Sequence, residues 1–228
     1  MIDVIEKREK HNTVKNTKGK ETQIELLRII AMILIIIHHY VYHGGILDVH
    51  LDGINKLISI FVVLGGKIGV NLFVLISGYF LINKKFKIKR ILKLLFEVYF
   101  YSILIFIINI ILKNEIKPEM IFNTFLPFNI YWFFKVYLVL SILSPIINLL
   151  IKKISNKQYI LLITILFCMV CIIGPLGKIR VFANSYMIFL LMYLIGGYVK
   201  LYKFHFKTVW DKRDYSFSTL FVIIFNKL

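Results

Sequence analysis

The sequence predicts an all-α protein: a polytopic transmembrane helix bundle of about six complete spans plus a partial seventh, with its N-terminus cytoplasmic. Three observations predict it. Of 228 residues, 59% are hydrophobic, and the mean hydropathy is +0.78. The apolar residues fall into blocks of about 20, the length a helix needs to cross a hydrocarbon core of about 30 Å. These blocks are continuous rather than alternating, which favours helices over barrel strands. The cations, 29 Lys and Arg against 12 Asp and Glu, collect in the short segments between blocks. A formal charge of +17 would suggest nucleic acid in a soluble domain. Distributed this way it marks topology instead, and no nucleic-acid partner is expected.

Taken in order, residues 1–22 are polar, charged and aperiodic, and read as a mobile basic cytoplasmic arm. Residues 23–228 form the membrane domain. Its spans are expected near 24–43, 57–82, 91–112, 130–151, 158–175 and 186–202, with the first part of the second set apart as a short helix before "GGKIG". The closing "FSTLFVIIFNKL" is too short to cross and supplies the partial seventh.

Lys and Arg should be in excess in every second connection, on the cytoplasmic side. They are: the arm, "NKKFKIKRILK", the segment with Lys152, Lys153 and Lys157, and the segment after residue 200 are rich, and the alternate connections are poorer. Residues near 44–56, 113–129 and 174–185 are therefore expected outside. A basic arm before an apolar run also resembles a secretory signal. However, "YHGGILDVH" has no small-x-small cleavage pattern, and Arg28 and the histidines interrupt the apolar core, so the first span is expected to stay uncleaved. Cys168 and Cys171, inside one apolar run, are expected to pack as small hydrophobes.

The first span, "LLRIIAMILIIIHHYVYHGG", carries the groups that lipid penalises. Arg28 and His39 are eleven residues apart, which is three turns plus about 20°, so they share a face, about 16 Å apart along the axis. Met32, Ile35 and His43 lie on the same stripe, and His38 points about 80° away. An intramembrane charge normally faces a bundle interior or a wet cavity, so that face is expected to point inward and His38 to be a packing residue. Arg28 can alternatively snorkel to the interface. His39 is open to three readings: a general base, a satisfied structural histidine, or a metal ligand with His43. The last is disfavoured because no carboxylate or thiolate pattern accompanies the pair. Elsewhere, Ser77, Gly78 and Tyr79 suit close helix packing, and Glu97 stands one turn from Lys93, the spacing of an i,i+4 pair. Pro145 should kink or end the fourth span, and Lys135 should snorkel or bind an anion.

Together these motifs resemble acyltransferase family 3, integral membrane enzymes that O-acylate bacterial surface polysaccharides. Over residues 21–202 the likeness runs through five segments. Arg28 to His39 fits the family's basic-x10-His spacing. Gly69, Val70, Leu72, Phe73, Ser77, Gly78 and Tyr79 follow its second-span signature. Lys87, Ile88, Lys89 and Arg90 resemble its cytoplasmic basic motif, with Lys87 in place of an arginine, which keeps the charge and loses the bidentate geometry. "YWFFKVYLVLSILSP" and "YLIGGY" resemble its later signatures.

The resemblance implies transfer of an acyl group, usually acetyl from acetyl-CoA, to a hydroxyl of a surface glycan or lipid-linked sugar at the plasma membrane, with no metal. In that scheme His39 acts as general base or transient acyl carrier, and Arg28 orients the donor or stabilises charge on the thioester oxygen. Lys87 and Arg90 hold the CoA phosphates. The family usually has about ten spans, so the resemblance also implies a membrane domain incomplete at its C-terminus. The competing classes are a transporter or flippase, which should show internal repeats and broken helices that this sequence lacks, and an inactive shortened relative.

Overall fold

A computed structural model describes residues 2–46, 53–112, 117–128, 130–177, 179, 181 and 184–202, with side chains from Thr22 onward. The described residues are helical throughout apart from turns: α1 (Ile2–His43), α2 (Gly53–Leu81), α3 (Ile88–Ile111), α4 (Pro118–Phe125), α5 (Trp132–Lys153), α6 (Asn156–Phe167), a π-helical turn (Cys168–Ile173), α7 (Gly174–Leu176) and α8 (Ser185–Tyr202). Among the described residues six segments are long and apolar enough to cross a membrane: Thr22–His43, α2, α3, α5, Asn156–Leu176 and α8. The protein is a multi-pass membrane helix bundle. The stretch expected as a partial seventh span, and residues 113–116, 129, 178, 180 and 182–183 of the connections, lie outside the described residues.

Three local expectations are corrected. The arm is not a separate coil, since α1 runs unbroken from Ile2. Residues 2–22 contain no proline, one glycine and many Lys and Glu, so a helix nucleated in the span extends into them at little cost. The second span is likewise one helix of 29 residues; its glycines do not break it because they are where α1 lies against it. In the third connection, α4 is a helix that the spans did not announce, although Pro118 in its first turn is a recognised start signal. The "CMVC" cysteines are half-exposed and fall in the π-helical turn. There Gly174 N–H bonds Met169 O five residues back, and Pro175 has no N–H to continue the regular ladder.

Packing is dominated by α1 against α2 and α2 against α8. Small residues set both contacts. Ala31 of α1 is fully buried, and a Cβ on Gly69 would sit 2.7 Å from its carbonyl oxygen. Gly78 of α2 faces the Tyr193 backbone of α8, and Gly196 of α8 faces the Leu75 carbonyl and the Tyr79 N–H of α2. Any side chain at these two glycines would overlap backbone. Without water to drive apolar association, helices in lipid gain from such close approach. Beside this seam, Val74, Leu140, Tyr159, Phe189 and Tyr193 form the core between α2, α5, α6 and α8. The Tyr159 hydroxyl donates to Leu194 O at 2.8 Å, so the ring is buried without an orphan polar group. By contrast α3 buries only Ile91 and Ser102, and its remaining apolar surface is left for lipid.

Candidate functional site

At the end of the bundle where α2 stops and α3 begins, the chain builds a cleft of about 480 Å³. The turn after Leu81 starts with Lys84 N–H bonding Leu81 O at 3.0 Å, and extended Lys87 caps α3, with Arg90 N–H on Lys87 O at 3.0 Å. Lys87, Arg90 and Lys93 then recur every three residues along the first two turns of α3. Arg28 reaches the same cleft from α1, bonded to Glu25 at 3.0 Å and lying over the Phe80 ring. Lys93 pairs with Glu97 at 3.7 Å, the expected one-turn pair.

The lining therefore contains Arg28, Lys84, Lys87, Arg90 and Lys93 against a single carboxylate, Glu97. A recess lined by one sign of charge concentrates ligands of the other, and α3 adds the partial positive charge of its N-terminus.

The opposite wall is α5, which contributes Tyr137, Ser141, Ser144, Pro145 and Asn148. Pro145 cannot donate to Ser141 O four residues back, and the Ser144 hydroxyl does so instead at 2.8 Å, so the helix passes the proline without an orphaned carbonyl. Asn148, 8% exposed, ties three helices together. Its Nδ2 donates to Leu81 O at 3.0 Å, the carbonyl at the end of α2, and its Oδ1 accepts from the Tyr193 hydroxyl at 2.8 Å. It thereby holds the α2 terminus from which the basic turn leaves. Nearer the other end, the Tyr137 hydroxyl donates to Ser77 Oγ at 3.2 Å. Asn148→Leu should cost about 0.6–2 kcal/mol, the range for interhelical hydrogen bonds in membranes, read as a lower melting temperature in detergent.

The structure thus brings Arg28, Lys87 and Arg90 together and leaves His39 outside the cleft. His38 packs as expected, but the Arg28 and His39 face, expected to point inward, is not the one laid against α2. His38 is half-buried, its Nδ1 donating to Val63 O at 3.0 Å and its ring covering Gly66. His39 is exposed, its Nδ1 bonded at 2.8 Å to Ile35 O one turn back. The azimuth between Arg28 and His39 is as counted, but the stripe that packs on α2 runs through Ile24, Ala31 and His38. The Arg28 and His39 face is its rim. A carbonyl can only accept, so His39 Nδ1 carries the hydrogen and Nε2 of the neutral ring is a free acceptor. Lys135, half-buried one turn into α5, does not line the cleft. Asn148 and Ser144 were missed by sequence reasoning, although an asparagine inside a span is itself a signal.

A family model described as an acyltransferase domain matches residues 21–225. No curated protein and no solved structure matches the chain.

Proposed function

The chain belongs to acyltransferase family 3, and from that premise we propose that it moves an acyl group, most simply acetyl, from acyl-CoA to a hydroxyl of a cell-surface glycan or its lipid-linked precursor. One observation carries the reading: the anion-attracting cleft and the free imidazole nitrogen stand at different depths. Arg28 and His39 are separated by about 16 Å along α1. The polar wall from Asn148 to Tyr137 runs eleven residues, about the same distance, in the same direction along α5. Such an arrangement suits a donor whose phosphates and thioester are joined by a long arm.

In this reading the basic end faces the cytoplasm of a bacterial plasma membrane. Lys84, Lys87 and Arg90 hold the phosphates by charge-assisted hydrogen bonds, and Arg28 neutralises charge near the entrance. His39 Nε2 accepts the proton of the acceptor hydroxyl as its oxygen attacks the thioester carbonyl. The C–S bond then breaks and CoA leaves as thiolate.

The decisive experiment is release of free thiol from acetyl-CoA by the purified chain, with and without an oligosaccharide acceptor. No acceptor-dependent release across a panel of surface glycans would overturn the reading. A second expectation concerns the cleft. Lys87→Ala and Arg90→Ala should each raise the KM for acetyl-CoA by about 10–100-fold, the equivalent of the roughly 1.5–3 kcal/mol of a hydrogen bond to a charged group, and leave kcat nearly unchanged. The loss should shrink as salt is raised, because exposed charges are screened.

A further inference from the structure

The outer side of α1's rim carries a second chemical feature. His39 and His43 are one turn apart, both exposed, with ring centroids 5.5 Å apart and ring planes inclined by 33°. Two imidazoles at i and i+4 lie on one helix face. The hydrogen bond from His39 Nδ1 to Ile35 O fixes its tautomer and directs the Nε2 lone pair away from the backbone. A backbone carbonyl on the remote nitrogen is one of the usual outer partners of a metal-binding histidine, with carboxylate and water.

We infer that His39 and His43 form a chelating site for a divalent first-row cation of the Zn²⁺ or Cu²⁺ class, and that a bound cation occupies the nitrogen needed to take the acceptor's proton. The inhibitory half of this inference rests on the function proposed above, whereas the binding half does not. Among the described residues no group of three or more His, Cys, Asp or Glu side chains stands together, so of these residues the two imidazoles are the ligands the site offers. That composition belongs to a reversible site, not a closed structural one. His38 is set apart from it by its half-buried seat on Gly66, with Tyr42 stacked on its ring.

The test is calorimetric titration of the purified full chain, free of any affinity tag, with ZnCl₂. Wild type and His38→Ala should bind one ion with similar affinity. His43→Ala and His39→Ala should each bind about 100-fold more weakly or worse, because the second ligand of a chelate acts at high effective concentration. CuCl₂ should bind more tightly than ZnCl₂ in the same order of variants. Circular dichroism melts confirm that each variant is folded. Absence of binding to wild type, unchanged binding by His43→Ala, or equal loss in His38→Ala would each overturn the site. Where transfer is measurable, Zn²⁺ should slow wild type and spare His43→Ala. If binding follows the pair but Zn²⁺ leaves transfer untouched, the inhibitory step is wrong and the site stands.

Discussion

His39→Ala should lower the rate of acyl transfer by about 10²–10⁴-fold, the range supplied by a positioned general base, with little change in how the bundle folds. The side chain is exposed, and its one hydrogen bond, to Ile35 O, lies within its own helix. Its removal opens no interface. The neighbouring substitution works the other way. His38→Ala removes a ring seated between α1 and α2, together with its bond to Val63 O. It should lower the melting temperature in detergent and leave the turnover of the protein that remains folded nearly intact. Acetyl-CoA turnover and thermal melts of the two variants, measured side by side, separate chemistry from packing. Turnover of His39→Ala at the wild-type rate, with normal yield, would remove His39 from the mechanism.

The second large effect is on stability. Gly196→Ala should destabilise the bundle by about 3 kcal/mol or more, at or beyond the upper end of ordinary overpacking. The added methyl group would meet the Leu75 carbonyl and the Tyr79 N–H of α2, and backbone cannot rotate aside as a side chain can. The α2 and α8 axes would have to part, loosening Gly78 from the Tyr193 carbonyl and drawing Tyr193 away from Asn148. Because that bond helps hold the end of α2, acetyl-CoA binding should weaken as well. Gly65→Ala is the contrasting case, since its Cβ would meet only Leu34 Cδ2 at 3.4 Å, an ordinary contact. It should be tolerated, or stabilise slightly through better helix propensity. Chromatographic profiles and melting temperatures of the two alanine variants decide the matter, and equal behaviour would contradict the packing described.

Part of the candidate site is legible in the amino-acid sequence itself. Lys87 and Arg90 stand in a basic connection where topology already demands cations, and Arg28 stands inside a span that would otherwise exclude it. Their convergence on one cleft follows from short connections, because α2 and α3 are joined by six residues and must end at the same level. Asn148 and Tyr193 are harder to read. They are separated by 45 residues, and one polar residue in a span does not name its partner.

The sequence alone was sufficient for the spans, their order and the family, because hydrocarbon thickness fixes the length of an apolar block and the exclusion of charge from lipid fixes where cations fall. It also set the angle between Arg28 and His39, which is a property of the α-helix itself. What only the tertiary structure decided is which way that angle points. A helical wheel measures azimuth between residues of one helix and is silent about where the neighbouring helix lies. That was settled by Ala31, Gly66 and Gly69, whose lack of bulk lets α2 approach on the His38 side and leaves His39 on the rim.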